Sequence, residues 1–85
     1  MEVFAVYVFD DQINTVNYVE QVLKDICSFT AAGAMTTIKR IEQHGFALIY
    51  ESRSEEEAWE IHTKIRQRGL ISEIKTRVHG EGMRE

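Results

Sequence analysis

Proline is absent from this sequence, and only one cysteine, Cys27, is present. A lone cysteine cannot form an internal disulfide, so a reducing compartment suits the chain, and we expect the thiol to act as a small buried hydrophobe. No apolar run approaches the ~18 to 20 residues that a membrane span requires, and no signal segment is recognisable. These absences predict a cytoplasmic protein with no membrane partner.

The sequence also lacks an excess of positive charge. Its formal net charge is −4 and its pI is near 5.3, whereas phosphate contacts need clustered lysine and arginine, so no nucleic-acid partner is expected. Two small groups of basic residues have structural interpretations. The first group complements the negative C-terminal end of a helix, and the second lies on the solvent-exposed face of a strand. They are Lys64, Arg66 and Arg68, and Lys75 and Arg77.

Motifs for catalysis, cofactors and metals are missing as well. There is no glycine-rich phosphate loop, no Cys-x-x-Cys, no Gly-x-Ser-x-Gly and no His-Glu-x-x-His. His44, His62 and His79 fall on three different predicted segments without ligand spacing. No nucleophile can be paired with a base, so the sequence predicts a protein that is not an enzyme and has no metal or cofactor.

Six segments have the pattern of strands or helices, in the order β-α-α-β-α-β. Apolar runs at residues 3–9 and 46–50 predict buried strands, and alternation over residues 73–78 predicts a half-exposed third strand. Apolar stripes predict helices over residues 15–27, 30–44 and 54–69. The length suits one domain, which we expect at residues 1–79, followed by a flexible polar tail at residues 80–85.

Helix starts are marked by short polar side chains. Asn14 or Thr15 can cap the first helix and Thr30 the second, since each side-chain oxygen can accept from an unpaired N–H of the first turn. Ser54 with Glu57 three residues later predicts a capping box on the third helix.

The element order also predicts the topology. Two helices between strands 1 and 2 return the chain antiparallel, whereas one helix between strands 2 and 3 leaves that pair parallel. An all-antiparallel sheet therefore requires strand 1 in the centre. We expect an α+β fold, a two-layer β-α-α-β-α-β sandwich with a three-stranded antiparallel sheet and one partly open face.

Hydrogen-bond acceptors cluster where strand 1 ends. Asp10, Asp11 and Asn14 lie there, and Glu42 in the last turn of helix 2 would face the same opening. Apolar walls could come from three residues: Val16, Ile38 and Ile41. Such a hollow suits a cationic head joined to an apolar side chain, which describes the N-terminal residue of a polypeptide. The same isoleucines also fit a plain core, which spacing alone favours, and the two aspartates also fit an ordinary turn.

Two motifs resemble the ClpS family, adaptors of the AAA+ protease Clp. The family pattern Asn-Asp-Asp-Tyr-Thr-Pro-Met-Glu-Phe-Val aligns without a gap with residues 10–19 (DDQINTVNYV). Met-Leu-x-Val-His-x-x-Gly aligns with residues 38–45 (IKRIEQHG), and the spacing between the motifs matches. The similarity covers nearly the whole chain, with small gaps in helix 3 and strand 3. It implies the β-α-α-β-α-β sandwich of that family.

The resemblance also implies a function and a site. Family members hold the free N-terminal residue of N-degron substrates and pass them to a ClpA- or ClpC-type unfoldase. Carried over by position, the amine-binding residues are Asp10, Asp11 and Glu42, and the apolar pocket residues are Val16, Ile38 and Ile41. With Asn14 added to the first set and Ile13 to the second, these are the predicted site residues.

This sequence departs from the family pattern at several of those positions. Asp10 replaces an asparagine and Glu42 a histidine, and both should still attract an ammonium, more strongly at low salt. Val16 is shorter than the methionine it replaces, which changes the pocket's shape. The first strand begins by Val3, leaving no counterpart of the family's N-terminal extension, so unfoldase binding is expected more readily than cargo delivery.

Other functions remain open at this point. A module with the same fold but without the amine pocket could dock on an unfoldase or another assembly through its open sheet face or helix 3. A small-ligand regulatory domain of the ferredoxin-like kind is disfavoured because a fourth strand and a glycine-rich ligand turn are missing. The adaptor is the leading hypothesis, and an enzyme is the least favoured.

Overall fold

The computed structural model describes residues 2–78 of the chain. Its elements are β1 (Glu2–Phe9), α1 (Val16–Cys27), α2 (Ala31–His44), β2 (Phe46–Ser52), α3 (Glu55–Gln67) and β3 (Ile71–Val78). This order confirms the predicted one. His79 and the predicted tail at residues 80–85 lie outside the described residues.

The sheet has the strand order β2-β1-β3, and β1 pairs antiparallel with both neighbours. This confirms the position of strand 1 inferred from chain reversals. Its central place explains its composition, since Ala5, Val6 and Val8 are almost completely buried. Only a strand covered on both edges and by helices needs so few polar groups.

One core fills the space between the sheet and the helices. Val6 and Val8 belong to the same buried cluster as residues from all three helices: Val22, Leu23, Ala34, Ile38, Ile41, Ala58 and Ile65. The opposite face of the sheet is partly open, as expected. Phe46 is stacked on Phe9 there with ring centroids 5.7 Å apart, yet 44% of its surface remains exposed.

Threonine hydroxyls cap the first two helices. Thr15 Oγ1 accepts from the backbone N–H of Tyr18 at 3.1 Å, and Thr30 Oγ1 accepts from that of Gly33 at 3.0 Å. Thr15, rather than Asn14, is therefore the N-cap of α1. Each bond satisfies a donor that has no partner inside the helix.

The capping box predicted for α3 forms only in part. Ser54 Oγ accepts from the Glu57 N–H at 3.1 Å, but the Ser54 N–H donates to Ser52 Oγ at 2.9 Å rather than to Glu57. The Glu57 carboxylate instead accepts from Ser52 Oγ at 2.8 Å and from the Tyr50 hydroxyl at 3.2 Å. The prediction of a reciprocal box was wrong because residues of β2 compete for the same carboxylate.

The lone cysteine is less buried than predicted, and three of the basic residues lie close to carboxylates. Cys27 is half-buried, and desolvation raises the pKa of its thiol to about 11, so it stays protonated near neutral pH. Three of the basic residues lie in ion pairs: Lys64 with Glu60, Arg68 with Asp25, and Arg77 with Glu51.

Among residues 2–78, no helix is both long and apolar enough to cross a bilayer.

Candidate functional site

A cavity of about 50 Å³ opens where β1 meets the first two helices. We call it the candidate cavity. Its lining comes from the end of β1, the loop after it, α1, α2 and the turn after α3. The lining residues are Val8, Phe9, Asp10, Asp11, Asn14, Val16, Val19, Ile38, Ile41, Glu42 and Leu70.

A backbone hydrogen bond positions Asp10 over the end of α2. The Asp10 N–H donates to the Gly45 carbonyl at 2.9 Å. Gly45 has a φ of 89°, a conformation that residues with a side chain rarely adopt, and it turns the chain directly from α2 into β2. Because Glu42 lies in the last turn of the same helix, Asp10 and Glu42 line one cavity.

Asp11 is held by the loop that it begins. Its carboxylate accepts from the backbone N–H groups of Ile13 and Asn14, both at 2.8 Å, and from Asn14 Nδ2 at 3.0 Å. Slight burial acts to raise the pKa of Asp11, but the hydrogen bonds from Asn14 and Ile13 outweigh it, so the pKa lies below the ordinary 3.8. Asp11 therefore stabilises the turn as well as adding negative charge to the cavity mouth.

The turn after α3 closes the remaining side of the cavity. Asn14 Nδ2 donates to the Gly69 carbonyl at 3.0 Å, and the Tyr18 hydroxyl donates to the Arg68 carbonyl at 2.6 Å. These bonds tie the turn to α1 and place Leu70, which is buried, in the cavity wall. The sequence did not point to Leu70, because no local pattern links it to a loop more than fifty residues earlier.

Core and cavity share the same apolar side chains. Ile38 and Ile41 are each 5% exposed and belong to the buried cluster, yet both also line the cavity. Val16 is 41% exposed and lies nearer the opening. The two interpretations that the sequence left open for the isoleucines are therefore compatible, since the cavity floor is the upper surface of the core.

Ile13 is the one candidate residue that the structure does not bring to the cavity. It is 88% exposed and is absent from the lining. The Asp11–Asn14 turn explains this, because the Ile13 N–H is held by Asp11 while its side chain stays in solvent. The other seven candidates, Asp10, Asp11, Asn14, Val16, Ile38, Ile41 and Glu42, all line the cavity.

The mouth of the cavity carries acceptors that the protein itself leaves unused. Within residues 2–78, neither Asp10 nor Glu42 makes a side-chain hydrogen bond or an ion pair. The described part of the chain contains no group of three or more His, Cys, Asp or Glu side chains placed to hold a metal ion. The arrangement can receive a cation that carries N–H donors and an apolar substituent.

Comparison with known proteins gives a family and a fold. The family model "ATP-dependent Clp protease adaptor protein ClpS" matches residues 1–71. A solved structure of Agrobacterium tumefaciens ClpS2 bound to L-phenylalaninamide is similar with a TM-score of 0.72 and 16% identity, over 89% of this chain and 98% of that one. No curated protein sequence matches the chain. The match over residues 1–71 shows that the chain belongs to the ClpS family of Clp protease adaptors, whose members are adaptors rather than enzymes.

Proposed function

We propose that this protein is a cytoplasmic adaptor that holds the N-terminal residue of N-degron polypeptides in the candidate cavity and docks on a ClpA- or ClpC-type AAA+ unfoldase. One observation carries the proposal: the unpaired Asp10 and Glu42 carboxylates lie at the mouth of an apolar hollow. A polypeptide N terminus combines an ammonium with an adjoining side chain. Those two groups match the mouth and the floor of the cavity.

The polar part of the binding energy would come from charge-assisted hydrogen bonds. A carboxylate that accepts from an ammonium forms a bond of about twice the strength of one between neutral groups. The apolar side chain adds roughly 25 cal/mol for each Å² that it removes from water. The ligand reported in the ClpS2 structure, L-phenylalaninamide, has a free amine and an apolar side chain, which supports the same ligand class here.

The test uses peptides that differ only at the first residue, with phenylalanine, leucine, valine or glycine. A fifth peptide carries an acetylated amine. Measured by calorimetry, we expect an apolar first residue to bind more tightly than glycine, and acetylation to abolish binding because it removes the ammonium. Equal affinity across the series, or indifference to acetylation, would reject the N-degron role.

Unfoldase docking requires a separate experiment. The tagged protein is used to recover partners from an extract of its source cell, and the eluate is scored for a Clp-type AAA+ ATPase. Recovery should be lost when purified untagged protein is added as competitor. If no such ATPase is recovered while the peptides bind, the protein holds N termini without acting through an unfoldase.

A second candidate function is that of a docking module on a larger assembly without N-degron binding. Apolar side chains on the open sheet face favour it: Phe46, Leu48 and Ile71 are between 38% and 51% exposed. The two functions differ in whether the peptides bind, and a Phe46→Ser variant tests whether the open face makes the docking contact. It should abolish docking if the open face is used, and leave peptide binding unchanged because Phe46 does not line the candidate cavity.

A further inference from the structure

A second hollow lies on the open face of the sheet, where all three strands contribute to it. Its volume is about 90 Å³, and it is lined by Tyr7, Phe9, Phe46 and Lys75. The strand register explains this set. Phe46 pairs with Phe9, and Lys75 pairs with Ala5, which lies on the same face of β1 as Tyr7 and Phe9. We call it the sheet hollow.

Aromatic rings form the walls of the sheet hollow. The ring centroids of Tyr7 and Phe46 are 5.9 Å apart with an angle of 62° between the ring planes, and Phe46 is stacked on Phe9 at 5.7 Å. These contacts restrict the orientation of the rings, so the walls are formed before a ligand arrives. Leu48 and Ile71 pair with Tyr7 and Phe9 and are 38% and 51% exposed, which extends the apolar surface beyond the hollow.

The polar groups of the sheet hollow are hydrogen-bond donors, whereas the mouth of the candidate cavity carries carboxylates. Lys75 has an ammonium and Tyr7 a hydroxyl, and within residues 2–78 neither side chain makes a hydrogen bond or an ion pair. The next cation on the same face, Arg77, is already paired with Glu51. An unpaired ammonium and a hydroxyl beside an apolar hollow suit a carboxylate that is joined to an apolar side chain.

One acidic residue on the same face acts against the binding of an anion. Glu73 pairs with Tyr7 and lies two residues before Lys75 on β3, but it does not line the hollow. Its side chain is exposed, so water and salt screen its repulsion of a ligand. Lys75, which lines the hollow, therefore decides the charge of the ligand, and removing the charge of Glu73 should strengthen binding.

We propose that the sheet hollow binds the C-terminal residue of a partner polypeptide, with its apolar side chain against the rings and its carboxylate on Lys75 and the Tyr7 hydroxyl. A C-terminal residue carries both groups on one Cα, which suits a hollow lined by four residues. A small carboxylate would leave Leu48 and Ile71 uncovered, whereas the preceding residues of a polypeptide can cover them. The inference does not depend on binding in the candidate cavity, because it needs no ammonium.

The test uses short peptides that are all acetylated at the N terminus, so that none presents an ammonium to the candidate cavity. Acetyl-Gly-Gly-Phe ends in a free carboxylate, and its amide form lacks that charge. Acetyl-Gly-Gly-Ala keeps the carboxylate and lacks the ring. A fourth peptide, acetyl-Gly-Asp-Phe-amide, moves the carboxylate to an internal side chain. NMR titrations at low ionic strength measure the dissociation constants and locate the perturbed residues.

We expect acetyl-Gly-Gly-Phe to bind about three- to tenfold more tightly than its amide or the alanine peptide, because each of these lacks one of the two recognised groups. Shift changes should fall on the three strands and spare Ile38 in the candidate cavity. Equal affinity of acid and amide overturns the inference, as does a perturbation confined to the candidate cavity. Equal or tighter binding of the internal aspartate overturns the assignment to a C terminus.

Two charge variants test the physical reason, and a third is their control. Lys75→Gln should lower the preference for acid over amide below about twofold and leave the affinity for the amide unaltered. Glu73→Gln removes a like charge and should raise the affinity for the acid by about twofold. Lys39→Gln also removes one positive charge, but it lies on α2, behind the sheet, and should keep the preference. An equal loss in Lys39→Gln would indicate attraction by net charge alone and overturn the inference.

Discussion

Polar side chains are buried and hydrogen-bonded in one region of this molecule, and exposed without a partner in another. Beneath α3, His62 and Ser72 are 6% and 9% exposed, and His62 Nδ1 lies 2.9 Å from Ser72 Oγ. At the cavity mouth, Asp10 and Glu42 are exposed and lack partners within residues 2–78. The buried pair satisfies itself, whereas the carboxylates at the mouth are solvated.

The difference has a simple energetic basis. A polar group that is removed from water without a partner costs free energy, and in the described residues no buried side-chain nitrogen or oxygen lacks a hydrogen bond. An exposed carboxylate is solvated and costs little, so it can stay unpaired until a ligand arrives. Polar groups that stabilise the fold and polar groups that bind should therefore respond differently to substitution.

The largest effect that separates the two regions is expected from Asp10→Ala. Losing one charge-assisted hydrogen bond should weaken binding of a leucine N terminus by ~1.5 to 3 kcal/mol. The free energy of unfolding should change by less than ~0.5 kcal/mol, because the carboxylate has no partner in the protein. Calorimetry and urea denaturation measure the two quantities, and Ile13→Ala is the control for both. A large loss of stability would show that Asp10 is structural.

The converse experiment is Ser72→Ala. It leaves the buried His62 ring without its partner and should lower the free energy of unfolding by ~1 to 3 kcal/mol, measured by urea denaturation. Ligand affinity should not change, since Ser72 does not line the cavity. A fall in affinity along with stability would contradict the separation between polar groups that stabilise the fold and those at the cavity mouth.

Tyr18→Phe tests the connection between the cavity and the rest of the fold. It removes the hydroxyl that donates to the Arg68 carbonyl at 2.6 Å, a mostly exposed bond worth ~0.5 to 1.5 kcal/mol. We expect a loss of stability in that range together with a small loss of affinity, because the turn that carries Leu70 becomes less restrained. Affinity that is wholly unaffected would mean that Asn14 and Gly69 hold the turn without Tyr18.

A smaller change in the free energy of unfolding is expected when only the pH is varied. Burial lowers the pKa of His62 below its ordinary 6.5 because it disfavours the charged ring, and nearby Arg66 acts in the same direction. The unfolded chain therefore binds the proton first as the pH falls, and stability declines from pH 6.5 downward until the folded-state pKa is passed. Asp11 adds a second decline below pH 3.8. Urea midpoints measured across pH should show both steps.

A His62→Gln variant should lack the upper step and keep the lower one. The ring of His62 also meets Trp59 edge-on, with centroids 5.1 Å apart, so tryptophan fluorescence provides an independent record of the upper step. An upper step that survives in the variant would assign that step to another group.

Periodicity and local chemistry were enough for most of the fold. The apolar run of residues 3–9 predicted β1, and Thr30 and Gly45 marked the ends of α2 correctly. These features depend on interactions between residues at most four apart, which a sequence displays directly. Only the N-cap half of the box predicted at Ser54 forms, because the Ser54 N–H donates to Ser52 and the Glu57 carboxylate accepts from Ser52.

Only part of the candidate site was predictable, namely the secondary-structure element on which each polar residue lies. Asp10, Asp11 and Asn14 follow a strand, and Glu42 ends a helix, so each could be assigned to its element from the sequence. Ile13 was predicted to line the apolar pocket, but a turn built on Asp11 leaves it in solvent. Leu70 could not be found because its place in the wall depends on contacts made by the turn after α3.

The sequence by itself determined the order of elements, the helix caps and the chemical types available at the end of β1, since these follow from short-range periodicity and hydrogen bonding. Only the tertiary structure decided that Asp10 and Glu42 share one opening, through the bond from Asp10 to Gly45, and that Leu70 closes its wall. It also decided which acceptors remain free, because pairing depends on contacts between residues far apart in the chain.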